Sequence, residues 1–134
     1  MNTLTTLAQQ FGGTFDHLIA DEEIPVLTGL QRQGDVLIIP TRAGKVTGLA
    51  DVPREGIPVV KGENGGNTHL LVADGNAQYA PNAQRGLRLG TLVVPEGAVA
   101  YLTHPEHGFN AIGAGTYVIN RQREQADEIR IIAD

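Results

Sequence analysis

At 134 residues the chain fits one domain, long enough to bury roughly two thirds of its unfolded surface. A formal charge of −5 with only ten Lys and Arg argues against a general nucleic-acid binder, whose affinity comes from clustered cations displacing counterions from phosphate. The absence of cysteine excludes disulfides and thiolate metal sites.

Hydrophobic content of 41% is that of a globular protein. With three Phe, three Tyr and no Trp, its core must come from Val, Ile, Leu and Ala. Seventeen Gly and seven Pro imply many turns and short strands. No apolar run approaches the roughly 20 residues needed to span a bilayer, and the first residues lack the basic and apolar regions of a signal peptide. These features set the expectation of a soluble, cytoplasmic protein with no membrane partner.

In chain order, residues 1–25 form an N-terminal segment of a single domain covering 1–134. Leu4, Leu7, Ala8 and Phe11 fall at helical spacing, with Asn2 or Thr3 as N-cap and Gly12-Gly13 as stop. Barely two turns long, this helix must dock to persist, or serve as an arm to a neighbouring subunit. A second short helix is expected over residues 15–23, ended by Pro25.

Beyond Pro25 the pattern is strand-like. Residues 35–40 are a continuous apolar run bounded by Gly34 and Pro40, and residues 57–60 form a shorter run whose Pro58 suggests a sheet edge. Residues 68–73 lead through Asp74-Gly75 to 76–79, a hairpin signal. Further strands are expected at 90–94, 99–103 and 116–120, with a last one at 128–132. Gly34, Gly90 and Gly115 each open a polar-then-apolar run, which reads as a common way of turning into a strand. Seven or eight short strands make the expected fold all-β: a sandwich, jelly roll or small barrel with a short N-terminal helix.

Chemistry concentrates at His104-Pro105-Glu106-His107-Gly108. In an extended strand His104 shares the face of Ala100 and Leu102, and His69 shares that of Leu71 and Ala73, so both point inward. A turn at Pro105 and Gly108 brings His107 to the same side. Three converging imidazoles make a divalent metal site for Zn, Fe, Mn or Ni, completed by water or by Glu106, Glu63 or Asp74. The alternative is a set of structural histidines, since His-x-x-His alone is a weak signature. The Gly-rich loop over residues 61–67 lacks phosphate-loop order and reads as a plain loop. Arg121 and Arg123 share a strand face and suit a carboxylate or phosphate ligand, or a salt-bridging contact between subunits.

Gly62-Glu63 with His69, His104-Pro105-Glu106-His107-Gly108, Gly115-Thr116-Tyr117-Val118 and Gln122-Arg123-Glu124 form a pattern spanning roughly residues 60–134. It resembles that of small, uncharacterised bacterial and phage-type β-rich proteins. Such proteins carry a second His where this chain has Asn67, a departure that weakens the metal reading. The His-bearing strand followed by Gly-x-Tyr-x-Val is also similar to cupins, although the cupin ligand order is not reproduced.

Two functions follow as expectations. One is a small β-domain binding protein with a metal or small-ligand site at His69, His104, His107 and Glu106, with no reaction assignable. The other is a self-associating assembly component, such as a phage virion protein, in which strand edges and the N-terminal segment build a homo-oligomer within a particle.

Overall fold

The structure is a computed structural model that describes residues 2–11, 23–42, 44–62, 67–82 and 87–122. Among these residues one helix, α1 (Leu4–Phe11), precedes eleven short strands. These are β1 (Val26–Leu27), β2 (Gln31–Gln33), β3 (Val36–Pro40), β4 (Ala50–Asp51), β5 (Ile57–Val60), β6 (His69–Asp74), β7 (Gln78–Pro81), β8 (Arg88–Val94), β9 (Val99–His104), β10 (Gly108–Ile112) and β11 (Gly115–Arg121). They form a five-stranded sheet, β1-β10-β9-β6-β5, facing a six-stranded sheet, β2-β3-β11-β8-β7-β4. Both sheets keep open edges, so the all-β expectation resolves to a sandwich.

Alternation along the strands builds the core. Val36 and Ile38 of β3, Leu71 of β6, Leu92 of β8, Leu102 of β9, and Tyr117 and Ile119 of β11 all lie between the sheets, essentially sealed from solvent. Each such side chain contributes about 1.5–3 kcal/mol by leaving water. The Tyr117 hydroxyl donates to the Gly113 carbonyl at 2.8 Å, which satisfies the one polar atom its ring brings inside.

The intervening residues of the five-stranded sheet make a second apolar surface on its outer face. Val72, Tyr101, Phe109 and Ala111 pack there against Leu4 and Leu7 of α1. Thr3 caps the helix by accepting from the Thr6 N–H at 3.2 Å, while the Thr6 hydroxyl oxygen accepts from the Thr3 N–H at 2.9 Å. The helix therefore docks on its own domain. Among the described residues no helix is long and apolar enough to cross a membrane.

Several expectations need correcting. Asp74-Gly75 does not close a hairpin: β6 lies in the five-stranded sheet and β7 in the other. Both edges of β6 are already taken, by β5 and β9. Gly75, at φ 105°, instead carries the chain across the sandwich, close against Ala98. The described strands exceed the eight foreseen because β1, β2 and β4 are short or polar, and β10 follows the His104–Gly108 turn without a long apolar run. The edge position of residues 57–60 is as expected. The runs that begin at Gly34, Gly90 and Gly115 belong to neighbouring strands, β3-β11-β8, although Gly90 lies inside β8 rather than at its start. The helix expected at 15–23 (save Glu23, which bridges Thr3) and the strand expected at 128–132 lie outside the described residues.

Candidate metal and ligand site

Strand register brings the first two imidazoles together. β6 and β9 are antiparallel neighbours that pair Leu71 with Leu102 and Leu70 with Thr103. The next step along both strands reaches His69 and His104 on the inner face, only 4% and 5% exposed. Their ring centroids are 4.4 Å apart.

The third imidazole arrives through a hairpin. β9 turns into β10 over Pro105, Glu106 and His107, with His104 paired to Gly108. His107 N–H donates to the His104 carbonyl at 3.2 Å, and Gly108 closes the turn at φ 79°. That positive φ suits glycine, as three-residue hairpin loops require. The exposed His107 ring lies 4.5 Å from His104 and stacks 6.5 Å from His69.

The opposite sheet supplies the remaining groups. β2 and β3 form a hairpin whose two-residue turn is Gly34-Asp35, with Gly at φ 59° in the first position. Gly34 faces His107: a Cβ there would lie 2.9 Å from the His107 Nε2. On β2, Gln33 is buried. Its amide nitrogen donates to the carbonyls of Leu102 and Gly108 at 2.6 and 3.1 Å and to the Asn110 side-chain oxygen at 3.0 Å. Gln31 donates likewise to the Ala111 carbonyl at 3.0 Å. These bonds clasp the polar end of the sandwich, where an unpaired amide would cost about 1–3 kcal/mol.

Gln33 also determines the chemistry of His69. With its nitrogen committed to acceptors, its Oε1 must face His69 Nδ1, 3.0 Å away, so Nδ1 carries the hydrogen. Burial first, and then the neighbouring His104, lower the pKa of His69 from 6.5 to about 4 against the raising pull of Asp35. At neutral pH the ring is therefore neutral and Nε2 bears a lone pair. That lone pair lies 3.4 Å from Asp35 Oδ1. The other carboxylate oxygen, Oδ2, receives Arg121 Nε at 3.3 Å.

His104 is engaged differently. Its Nδ1 accepts from the Glu106 N–H at 3.1 Å, and its protonated side is bonded to the Asn67 backbone. Burial, followed by the proximity of His107, lowers its pKa. Asn67 holds φ 56°, a left-handed conformation that Asn tolerates better than most side chains. Thus Asn67 presents a backbone acceptor to His104.

Together these groups line a pocket of about 260 Å³ at the mouth of the sandwich, which includes Asp35, Lys61, His69, His104, His107 and Arg121, with Glu106 also on its wall. The fold thus brings together His69, His104, His107, Glu106 and Arg121, expected from sequence as two separate sites. Asp74 stands at the far end of β6, and Glu63 and Arg123 lie outside the described residues. Among the described residues no three His, Asp or Glu side chains form a ready-made metal-holding group. The donors present are the His69 Nε2 and the Asp35 carboxylate, with His107 on a solvent-exposed turn beside them.

A family model described as a domain of unknown function, DUF8820, matches residues 32–122. The chain belongs to the DUF8820 family. No curated protein and no solved structure matches it. The DUF8820 span contains every residue of the pocket, while α1 and β1 lie before it.

Within this DUF8820 domain the sequence reading did not single out Gln33, Asp35 or Asn110. A signal for two of them exists: Gly-Asp is a two-residue hairpin dipeptide, and it places the residues on either side at the end of a sandwich. Nothing local marks Gln33 as buried.

Proposed function

We propose that this protein is a small β-sandwich binding protein whose histidine pocket holds a divalent transition-metal ion between His69 Nε2 and Asp35, with the exposed His107 turning in as a third donor when the metal binds. One observation carries the reading: His69 Nε2 and an Asp35 carboxylate oxygen face each other at 3.4 Å. With Nδ1–H turned to Gln33, Nε2 and the carboxylate repel unless a proton or a metal cation lies between them. Burial and the adjacent His104 oppose a proton on His69. Zinc-type bonds of about 2.1 Å to N and O at a tetrahedral angle separate the two donors by about 3.4 Å. Imidazole with carboxylate suits Zn, Fe, Mn or Ni.

The surrounding residues have roles in this reading. Gln33 fixes the His69 tautomer, as second partners of metal-bound histidines do. Arg121 orients Asp35 and, with Lys61, offers positive charge to an anionic small ligand entering beside the metal. His104, with its Nδ1 lone pair taken by Glu106, walls the site.

Metal titration by calorimetry, with zinc, nickel and manganese in turn, tests this. One equivalent should bind wild type, with His69→Ala and Asp35→Asn weakening it at least about 100-fold and His104→Ala by much less. A wild type that takes up none of the three metals would sink the reading.

A second reading, self-association, is favoured by Val26, Leu27 and Leu30, which are 45%, 44% and 68% exposed along and beyond edge strand β1. Sedimentation of wild type against Leu30→Lys tests it; a monomer at high concentration in both would refute it.

A further inference from the structure

On the outer face of the six-stranded sheet lies a second pocket of about 570 Å³, independent of the histidines. Its floor is set by register: Ala80 pairs with Thr91, and Thr91 with Val118, so three modest side chains stand in a row across β7, β8 and β11. They leave a trough. The segment after β3 supplies Lys45 and Thr47 to its lining, and the end of β8 supplies Arg88. Asn82, whose side chain donates to the Arg88 carbonyl at 3.2 Å, fixes the backbone at that end.

The charge of the trough runs against that of the chain. The protein carries −5 overall, yet among the described residues the trough is lined by Lys45 and Arg88 and by no Asp or Glu. Among the described residues neither cation forms a salt bridge. Thr41, Thr47 and Thr91 add hydroxyl-bearing residues to the lining, beside the apolar Val46, Ala80, Pro81 and Val118. The volume falls within the roughly 300–1,000 Å³ of small-molecule sites. Two cations beside threonines suit an oxyanion carried on a hydroxylated body.

We propose that this trough binds a small phosphorylated molecule, its phosphate held by Lys45 and Arg88 and its hydroxyl-bearing part by the threonines. Arg offers paired donors to phosphate oxygens, and Lys a mobile point charge.

The test uses ribose 5-phosphate and inorganic phosphate as probes, with unphosphorylated ribose as control, followed by amide NMR shifts. Saturable shifts should cluster at Thr41, Thr47 and Thr91 with ribose 5-phosphate and more weakly with phosphate, and be absent with ribose. Lys45→Ala and Arg88→Ala, both at exposed positions and so expected to fold, should each weaken binding at least about tenfold. His69→Ala should leave it unchanged, which separates this site from the histidine pocket. Shifts scattered over the surface without saturation, or an affinity unaltered in the Lys45→Ala, Arg88→Ala double variant, would overturn the proposal.

Discussion

His69 Nε2 and Asp35 Oδ1 face each other at 3.4 Å across the mouth of the sandwich, one from each sheet. Neither residue gains that position from its own neighbours in sequence. β6 carries His69 inward beside His104, and the β2–β3 turn delivers Asp35 from the other side. The relationship couples the chemistry of the pocket to the packing of the two sheets, and four consequences can be measured.

Gln33→Leu should lower stability by about 2–4 kcal/mol, because it strands the Leu102 and Gly108 carbonyls and the His69 Nδ1–H in a buried place. Urea unfolding of the metal-free protein measures this. Loss of less than about 0.5 kcal/mol would mean that water takes over the amide's bonds.

Acid should destabilise the metal-free protein in a defined window. Unfolded His69 takes a proton near 6.5, whereas the folded form resists until about 4. Between those values the unfolded state binds more protons, so stability present above pH 6.5 is lost as pH falls toward 4, by up to about 3 kcal/mol. His104, also lowered, acts in the same direction. Unfolding free energies across this range should show a shallower slope in His69→Gln; an identical slope would assign the effect to other groups.

Gly34→Ala should disturb the pocket more than the fold. The added Cβ meets His107 Nε2 at 2.9 Å and sits on a backbone at φ 59°. Stability should fall by about 1–2 kcal/mol from the left-handed conformation, and the exposed His107 ring should be pushed aside. Metal affinity should then drop by about tenfold or more, read by the same calorimetry as for wild type. Unchanged affinity would remove His107 from the proposed ligand set.

Leu7→Ala should separate the N-terminal helix from the site. Leu7 is fully buried against the outer face of the five-stranded sheet, so its truncation should cost about 2–4 kcal/mol. The histidine pocket lies on the inner face, and metal affinity in the folded protein should stay within about twofold. Hydrogen exchange should accelerate in α1 before the β6–β9 ladder. Simultaneous loss of binding would show that the helix holds the site together.

Much of the site was legible because strand alternation is local. Ala100, Leu102 and His104 must share a face, as must Leu71 and His69, and the Pro105–Gly108 turn had to return His107 to the same side. The N-terminal helix was legible for the same reason, from the spacing of Leu4, Leu7 and Phe11. The Asp74-Gly75 turn misled because its dipeptide reports a sharp change of direction, and either a hairpin or a crossing between sheets satisfies it. Gln31 and Gln33 read as surface residues because nothing near them in sequence says that backbone carbonyls of β9 and β10 will need their amides.

The chain by itself determined that the fold is all-β, that α1 needs a surface to dock on, and that three imidazoles point toward one end of the core. Periodicity and turn chemistry are enough for that, since both depend on residues within a few positions of one another. Only the tertiary structure decided which strands pair and that Gln33 orients His69. It also decided that Asp35, held by Arg121, stands opposite His69 Nε2. Those choices depend on contacts such as Gln33 with His69 and Asp35 with Arg121, 36 and 86 residues apart in sequence. They are made when the two sheets close and every buried polar atom at their mouth must find a partner.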